Sequence, residues 1–440
     1  MSKEKVAVIG SGPSALVCIS ELINKVSEIT LFSPTGISSS NQDSENDIFP
    51  LVRKDRFVKK EVYSKFSPSL RTRQMGTGFI ESHSIGGLSE IWGGVCLPQH
   101  YSEREQGGIP EPEYTEILQE ICDKLSLTKR DGKVWEFFKT NSSLRKSILG
   151  EPPMTLKGDE IWSAKEEINE MCARGIEFID SEVLRVEKKG EMQIVQFYQD
   201  GEICLREFDR IFVACGPVGD AKLILNSFPQ ILDVKIADSS TEYRILLKFN
   251  FSQKLRNKMR PDLVGAIIGE NQRIESYLQI YPISEQMLAS LPFKRIQVFS
   301  RPFFYLVSKF ISIGMIFKNA ESSRSFEITR ADIGFVSRPR KSPSNYKFAN
   351  SKISSLIFQF GYLNTLIKIK NKPGTGIHSG AFISSRDFNY GKLSEFGVDA
   401  GKLHFVGASS LPVLPTGPIT VSAMANSIYI TRKIIKDLMV

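Results

Sequence analysis

The stretch KVAVIGSGPSA, residues 5–15, decides the fold of this chain. A nearly continuous apolar run before a glycine predicts a strand that is buried on both faces of a parallel sheet. Gly10 permits a tight turn after that strand, Gly12 lets the backbone approach a phosphate, and Ala15 lets the following helix pack closely against the sheet. The first N–H groups of such a helix can bind the same phosphate. The stretch therefore predicts a strand–turn–helix unit that binds a dinucleotide.

The second predicted strand ends in LFSP, with Ser33 where an acidic residue commonly follows. In dinucleotide-binding folds that acidic side chain, about 20 residues after the glycine turn, binds a ribose hydroxyl. A neutral hydroxyl forms a weaker hydrogen bond than a carboxylate does. We therefore expect either a weak ribose contact from Ser33 or a contact from a neighbouring residue in its place.

Length and charge limit the class of protein. A chain of 440 residues exceeds one ordinary domain of about 100–200 residues, so two lobes are expected. The 57 basic and 49 acidic residues give a net charge of +8, which favours anionic ligands or a membrane surface. Because the basic residues are interspersed with acidic ones, they form no dense basic stripe, and nucleic acid is not an expected partner.

The cysteines and the N-terminal residues indicate the compartment. The six cysteines have no metal-ligand or disulfide spacing, and several lie inside apolar runs, so we predict no metal site and a reducing environment. Residues 1–5 form a short charged segment that leads into the first strand, without the features of a signal peptide. The sequence therefore predicts a cytoplasmic protein.

Residues 402–440 again predict a strand, a glycine turn and a long helix, so both chain ends build the first lobe. The predicted fold class is α/β, with a Rossmann-type nucleotide-binding domain of residues 1–35, 74–227 and 388–440. A polar excursion or lid and an α+β substrate domain with a mixed or antiparallel sheet complete the chain. They cover residues 36–73 and 228–387, and the candidate strands of the substrate sheet are residues 243–251, 277–282 and 325–329.

One segment of the substrate domain raises the question of membrane contact. Residues 303–317, FFYLVSKFISIGMIF, are interrupted by Lys309 and fall short of the ~20 apolar residues of a spanning helix. We predict a buried helix here and no transmembrane span. The basic side chains of Arg295, Arg301 and Lys318 leave open an interfacial helix and a peripheral membrane contact.

Two further segments could contact the dinucleotide. Residues 86–94, GGLSEIWGG, place Trp92 between two glycine pairs, and this density suits a backbone that wraps around a flat or phosphorylated ligand. A bulged strand or a simple loop explains the glycines but not the tryptophan. Near the C-terminus, Pro418 and Thr420 suit the start of a helix. Any buried helix can begin in this way, so this second pattern alone does not predict a ligand.

Six segments, in this order along the chain, resemble those of the glucose-methanol-choline (GMC) oxidoreductases, flavoproteins that oxidise alcohols. The resemblance is strongest to the short bacterial members related to sugar and polyol dehydrogenases. The segments are GSGPSA at 10–15, GGLSEIWGG at 86–94, FDRIFVACGPVGDAKLILNS at 208–227, YLQIYP at 277–282, HSG at 378–380 and KLHFVGASSLPVLPTGPITVSAMA at 402–425. The resemblance implies a Rossmann-type FAD-binding domain, noncovalent FAD and hydride transfer from a CH–OH group to flavin N5.

The resemblance also implies which residues contact FAD. Gly10, Gly12 and Ala15 would hold the pyrophosphate, and the backbone of Val183 would contact the adenine. The partial positive charge of the last helix would stabilise the anion of the reduced flavin. The other expected contacts are Ala214 and Gly216 to the nucleotide half, Gly93 and Gly94 to the flavin end, Gly407 and Ala408 to the pyrophosphate and ribityl chain, and Thr420 and Val421 to the flavin ring. Because GMC members commonly carry Asp-Ala-Ser where this chain has Gly-Ala-Ser, one contact is expected to be missing.

His378 corresponds to the histidine that accepts the substrate hydroxyl proton in the family. An imidazole suits this role because its pKa of ~6.5 lies near the working pH. The chain has four histidines, His83, His100, His378 and His404. His378 stands out because it lies in a predicted loop with glycines at positions 374, 376 and 380, which can approach a cofactor closely. His404 lies inside an apolar strand and is predicted to be structural.

The family places a second catalytic residue, His or Asn, ahead of the last helix. The corresponding segment here is PTGP, residues 415–418, which contains neither type. Either Thr416 or a residue of the substrate domain completes the site, or the protein uses bound flavin differently.

The sequence therefore predicts an FAD-dependent enzyme that oxidises a hydroxyl group of a sugar, polyol or related alcohol and passes electrons to an unidentified acceptor. Two alternatives stay open: a flavin-dependent sugar isomerase or mutase without net redox change, and a catalytically silent FAD-binding protein. Substrate-dependent loss of flavin absorbance without oxygen distinguishes the first prediction from both alternatives.

Overall fold

The computed structural model describes most of the chain. The described residues are 4–34, 72–79, 81–90, 94–105, 108–125, 136, 146–157, 160–199, 202–239, 241–249, 261–269, 272–283, 309–319, 325–340, 350–370, 372–374, 377–379 and 401–439.

A parallel five-stranded sheet forms the centre of the first lobe within these residues. Its order is β21-β11-β1-β2-β7, and every neighbouring pair is parallel. The strands are β1 (Lys5–Ile9), β2 (Glu28–Phe32), β7 (Glu177–Ile179), β11 (Arg210–Val213) and β21 (Leu403–Phe405). The central strands are buried on both faces, as their apolar runs predict. Strands from both chain ends build one sheet, which confirms the α/β fold class.

Helices cover one face of this sheet. They are α1 (Pro13–Leu22), α3 (Glu113–Lys124), α4 (Ala164–Ala173) and α7 (Thr420–Met439), and a short helix α2 (Tyr101–Arg104) precedes α3. Leu16, Ile19 and Leu22 recur at helical spacing on α1 and are fully buried in one apolar cluster with the sheet. The Ser427 hydroxyl of α7 donates to the Ser14 carbonyl at 2.8 Å, so the two helices pack directly. The N-terminal and C-terminal parts of the chain therefore share a core.

The opposite face carries an antiparallel meander and α5 (Gly216–Ser227). The meander has the order β10-β9-β8, with β8 (Val183–Lys189), β9 (Met192–Gln199) and β10 (Glu202–Phe208). Phe32 packs against Phe197 and Phe208, with ring centroids 5.1 and 5.8 Å apart. Alternating side chains in the sequence predict a meander of four strands, at residues 176–180, 181–188, 192–198 and 202–208. The assignment of residues 176–180 to the meander is wrong. The strand there is β7, which pairs with β2 because α4 returns the chain to that edge of the parallel sheet.

Two further sheets form the second lobe in the described part of the chain. The first has the order β20-β12-β17-β18-β3, with β3 (Thr72–Gln74), β12 (Asp233–Ser239), β17 (Ser325–Arg330), β18 (Phe335–Pro339) and β20 (Ile377–Ser379). The second is antiparallel, with the order β19-β13-β16-β15-β14-β4. Its strands are β4 (Lys146–Gly150), β13 (Thr241–Lys248), β14 (Leu263–Ile268), β15 (Ile274–Pro282), β16 (Ile311–Lys318) and β19 (Tyr362–Lys370). The helix α6 (Asn350–Gln359) packs on one face of this second sheet.

The three candidate strands of the substrate domain exist, but the prediction of one sheet is wrong. Residues 243–248 and 277–282 lie in the six-stranded sheet, whereas residues 325–329 lie in the five-stranded one. Local alternation identifies a strand but not its partner, because partners are chosen by contacts across the fold.

Residues 311–318 form a strand and not the predicted buried helix. The strand β16 pairs with β13 on one side and β15 on the other. A strand covered on both faces has the same continuous apolar composition as a buried helix, so composition could not separate the two. The β-branched residues Ile311, Ile313 and Ile316 were the signal for a strand. Residues 303–308 lie outside the described part, and no described helix has both the length and the hydropathy that crossing a membrane requires.

The predicted domain ranges can be compared with the described strands at two places. The excursion of residues 36–73 lies outside the described residues except at its end, where β3 pairs with β18. The strand β4, from the predicted nucleotide-binding domain, pairs with β14 in the six-stranded sheet, and a two-stranded hairpin follows it, with β5 (Leu156–Lys157) and β6 (Glu160–Ile161). The boundaries themselves stay a prediction.

Candidate functional site

The turn after β1 requires its glycines. Gly10 has a φ angle of +104°, and its N–H donates to the Phe32 carbonyl at 2.8 Å. A Cβ atom on Gly10 would overlap the backbone of Ala214, so no other residue fits. A Cβ atom on Gly12 would meet no atom within 4 Å, so this glycine borders open space.

The N-terminus of α1 faces that open space. Gly12 is the N-cap residue, and no side chain caps the helix. Pro13 suits the first helical position, where an N–H group would have no partner within the helix. Ala15 is fully buried in the core beside the sheet. Because the free N–H groups of a helix N-terminus carry partial positive charge, this end of α1 suits a phosphate.

The second glycine segment packs onto the first. Gly86 donates its N–H to the Ser11 carbonyl at 2.9 Å. Gly87 has a φ angle of +57°, and a Cβ atom there would lie only 3.1 Å from the Gly12 Cα atom, so a side chain at this position would be strained. Gly94 lies further along, with a φ angle of +70°, and a Cβ atom there would press against Ile161. Gly93 and Trp92 lie outside the described residues.

The C-terminal glycine turn reaches the same place. A Cβ atom on Gly407 would lie 3.7 Å from Ser14 Cβ and 3.8 Å from Ala214 Cα. Gly407 precedes a 3-10 turn, Ala408–Ser410, which continues the segment. Three turns that are far apart in sequence, at Gly12, Gly87 and Gly407, therefore meet at the N-terminus of α1.

A buried carboxyl group connects the C-terminal turn to α5. Asp220 accepts a hydrogen bond from the Cys215 N–H at 2.9 Å and another from the Ser409 hydroxyl. Burial raises the pKa of Asp220 to about 7, although both hydrogen bonds lower it. Gly216, the first residue of α5, has a φ angle of +76° and borders open space. Asp220 therefore connects the turn before α5 to the C-terminal glycine turn by hydrogen bonds.

The remaining expected nucleotide contacts lie on the sheet edge and the meander. Ser33 is buried at the end of β2, and its Oγ lies 2.6 Å from Ser11 Oγ. One hydroxyl of this pair donates to the other. This hydrogen bond joins the end of β2 to the glycine turn after β1. Val183 begins β8 and pairs with Phe197. Neither position alone selects a ribose or an adenine.

These residues fit the diphosphate of FAD. The open space beside Gly12, the N-terminus of α1 and the close approach of Gly87 and Gly407 together suit an extended phosphorylated ligand. Near the start of α7, Val421 is fully buried, and the buried Ser422 hydroxyl has no hydrogen-bond partner among the described residues. Thr420 begins α7, so its helix N-terminus can face an anionic ring.

Thr416 is held by a buried carboxyl group. Its N–H and its hydroxyl both donate to Glu103 Oε1, at 2.8 and 2.7 Å. Thr416 is fully buried, and Glu103 lies on α2 with 3% exposure. Burial raises the pKa of Glu103 to about 7, although the hydrogen bonds from Thr416 and from the His100 backbone lower it. This carboxyl group can therefore gain or lose a proton near neutral pH.

Aromatic residues of the six-stranded sheet face the same segment. A Cβ atom on Gly417 would lie 3.8 Å from the Tyr277 ring and 4.0 Å from Leu97. Tyr277 is 1% exposed. The segment of residues 415–418 is therefore enclosed between α2 and the strand β15.

His378 lies in a short strand and not in the predicted loop. It is the middle residue of β20 and pairs with Asp238 on β12. The strand contacts the Ala408–Ser410 turn, which places the His378 backbone beside the C-terminal glycine turn. Its side chain lies outside the described part of the chain.

Of the other three histidines, His100 and His404 are buried and His83 is partly buried. Burial lowers the pKa of His83 and of His404 to about 3 and that of His100 to about 4. His404 Nε2 lies 2.8 Å from an Arg210 guanidinium nitrogen, and its ring packs on Phe212. The structure thus places His404 in a structural contact with Arg210 and Phe212.

Sequence reasoning missed Glu103, Asp220 and Tyr277. Asp220 follows Gly216 in the quoted segment 208–227, so its position was visible but its partner Ser409 was not. Glu103 and Thr416 are 313 positions apart, and no local pattern joins them. The run YLQIYP alternates polar and apolar side chains, which was the one signal that Tyr277 and Gln279 share a face.

A comparison with solved structures supports the architecture. No protein-family model and no curated protein sequence matches the chain. Among solved structures, it is similar to pyridoxine 4-oxidase from Mesorbium loti, with a TM-score of 0.57 and 12% sequence identity. The similarity covers 98% of this chain and 99% of that one. At this identity the comparison shows a common fold, and the chain shares that fold over nearly the whole length of both proteins.

Proposed function

We propose that this protein is a GMC-type flavoenzyme that binds FAD noncovalently and oxidises a CH–OH group of a sugar, a polyol or a related alcohol. The observation that carries the proposal is the meeting of Gly12, Gly87 and Gly407 at the N-terminus of α1. The positive φ angle and the tight contact of Gly87 require a glycine, and the open space beside Gly12 leaves room for a ligand that approaches the backbone closely. The fold shared with an oxidase whose name gives pyridoxine as its substrate supports the same class.

The chain would hold FAD by its backbone. Gly10, Gly12 and Ala15 would bind the pyrophosphate together with Gly407 and Ala408. Ser33, Val183, Ala214 and Gly216 would complete the nucleotide contacts, and Gly94 would lie near the flavin end. Thr420 and Val421 would lie beside the ring. Bound FAD supplies the acceptor for the substrate hydride. The rest of the chemistry falls to side chains of this chain.

His378 is the proposed base. Its imidazole would accept the substrate hydroxyl proton on a ring nitrogen, which general-base catalysis requires within hydrogen-bond distance of the substrate. Thr416 would act differently. Because its hydroxyl proton is donated to Glu103, the Thr416 oxygen can only accept a hydrogen bond, and it would orient the substrate hydroxyl.

The experiment begins with the purified protein. We expect a yellow protein whose released cofactor is FAD, and a flavin absorbance that falls when a substrate is added without oxygen. A sugar isomerase or mutase would convert its substrate with no net change in the oxidation state of the flavin. A silent FAD-binding protein would show no change in flavin absorbance with any substrate. A colourless protein that takes up no added FAD would contradict the proposal. The domain division and the cytoplasmic location stay predictions of the sequence.

A further inference from the structure

The strand β15 carries two buried polar side chains on one face. Tyr277 and Gln279 are two residues apart, so their side chains project from the same side of the sheet. They are 1% and 2% exposed. The Tyr281 hydroxyl, two residues further on, donates to Gln279 Oε1 at 2.6 Å. This hydrogen bond orients the Gln279 amide and leaves its nitrogen directed elsewhere.

This face is directed toward the enclosed segment of residues 415–418. The alternating residues Leu278 and Ile280 pack under α6, on the other side of the sheet. The Tyr277 ring instead lies against Gly417. Burial, and then the nearby Glu103 carboxylate, raise the pKa of Tyr277 well above its usual value. The Tyr277 hydroxyl therefore stays protonated and can donate a hydrogen bond.

Two donors on this face have no protein acceptor. Neither the Tyr277 hydroxyl nor the Gln279 Nε2 atom has a hydrogen-bond partner among the described residues. Buried polar groups are nearly always hydrogen-bonded, because leaving one without a partner costs stability. Two such groups on one face, of which Tyr277 lies beside residues 415–418, indicate a ligand that supplies the acceptors.

We infer that Tyr277 and Gln279 form a substrate-recognition face that donates hydrogen bonds to two oxygen atoms of a neutral polyhydroxylated substrate. This inference rests on the proposed function and names its substrate class. Both donors are uncharged, so they match hydroxyl or ring oxygens better than a carboxylate or phosphate, which bind more strongly to cations. Side chains two residues apart on a strand are ~7 Å apart, a separation that a hexose-sized molecule can bridge.

The test compares Tyr277→Phe with Ser276→Ala. Ser276 is the neighbouring residue on β15, its side chain is on the opposite face, and its buried hydroxyl donates to the Phe317 carbonyl at 2.8 Å. Binding of radiolabelled D-sorbitol and D-glucose is measured by equilibrium dialysis, and unfolding midpoints are measured in urea without sugar. Neither measurement depends on turnover.

Tyr277→Phe is expected to weaken binding of both sugars about tenfold, the effect of one lost hydrogen bond, and to leave the urea midpoint equal or higher. Ser276→Ala is expected to lower the midpoint and leave sugar binding unchanged. Gln279→Met should also weaken binding. The wild type should bind D-gluconate, an anionic analogue, more weakly than D-sorbitol.

Four results would overturn the inference. They are unchanged sugar binding in Tyr277→Phe, a midpoint lowered as far as in Ser276→Ala, tighter binding of D-gluconate than of D-sorbitol, and a flavin spectrum already altered in Tyr277→Phe before sugar is added. The last result would make the hydroxyl a flavin contact. A wild type that retains no FAD would contradict the proposed function instead, and the dialysis and urea measurements on that protein would still decide the inference.

Discussion

Thr416 donates two hydrogen bonds to a single oxygen atom of Glu103, one from its backbone N–H and one from its hydroxyl. Glu103 lies on the short helix α2, whereas Thr416 lies shortly before α7. Both residues are buried, and the Glu103 carboxyl group is poised to change its charge near neutral pH. The position of the segment before α7 is therefore coupled to the protonation of Glu103 on α2.

Removing the Thr416 hydroxyl should affect stability more than chemistry. Thr416→Ala leaves the Glu103 carboxyl group with one donor fewer, so we expect the free energy of unfolding to fall by about 1–2 kcal/mol. Flavin reduction should slow by less than about tenfold, because this hydroxyl orients the substrate and accepts no proton from it. Urea unfolding and anaerobic stopped-flow absorbance measure the two effects. Thr416→Ser, which keeps the hydroxyl, should restore both, and a loss of reduction as large as that of a missing base would contradict the assigned role.

The raised pKa of Glu103 makes stability depend on pH. The folded protein retains this proton up to a pH of about 7, whereas the unfolded chain releases it near 4.5. Since the folded state binds more protons in that interval, the free energy of unfolding should fall as the pH rises from about 4.5 to 7. Asp220, whose pKa is also raised to about 7, contributes in the same direction.

Glu103→Gln tests this dependence because its amide oxygen can still accept both Thr416 hydrogen bonds. The decline between pH 5 and 7 should be shallower than in the wild type, by up to ~1.4 kcal/mol per pH unit for one proton. Urea unfolding at three pH values in this interval measures the slopes. Asp220 is present in both proteins, so parallel slopes would show that Glu103 does not titrate in this range.

Gly12→Asp should abolish retention of FAD. The new carboxylate would occupy the open space beside the N-terminus of α1 and would repel the pyrophosphate. Gly190→Asp is the matched control, because Gly190 also borders open space and lies in the turn between β8 and β9 with a φ angle of +62°, which Asp tolerates. The ratio of flavin to protein absorbance in the purified variants gives the result. Equal flavin content in the two variants would remove the glycine turn from the proposed site.

His378→Asn should retain FAD and the fold but slow flavin reduction by ~10²- to 10⁴-fold, as expected for the loss of a general base. The change keeps a side chain of similar size, and the backbone pairing of His378 with Asp238 is preserved. Rapid mixing with a substrate that reduces the wild-type flavin measures the rate. His404→Asn is the control: it should destabilise the protein through the lost Arg210 contact and leave reduction nearly unchanged. Equal rates for the wild type and His378→Asn would assign the base to another residue.

The sequence predicted those parts of the fold that local patterns determine. The glycine turn at Gly10 and Gly12 has a steric cause within a few residues, so the motif identified both the turn and the helix after it. The start of α7 at Thr420 followed from its capping residues and was also predicted correctly. Each of these elements depends on neighbours in sequence.

Elements that depend on distant contacts were missed. The strand β16 is a strand because β13 and β15 pair with its two edges, and residues 303–317 carry no sign of those partners. Glu103 lies in an ordinary polar stretch of the sequence. Only the folded structure brings it within hydrogen-bond distance of Thr416. The missing acceptors of Tyr277 and Gln279 likewise belong to the packed sheet and not to the order of residues.

The order of strands in the parallel sheet also determines when the cofactor site can exist during synthesis. β1 and β2 emerge from the ribosome early, but β11 and β21 pair beside them only after about half and nearly all of the chain has been made. Since domains tend to fold as their segments emerge, the nascent chain would expose the unpaired edge of β1 until β11 has been made. Gly407 and the start of α7 arrive last. The proposed dinucleotide site would therefore be complete only after Gly407 and the start of α7 have been made.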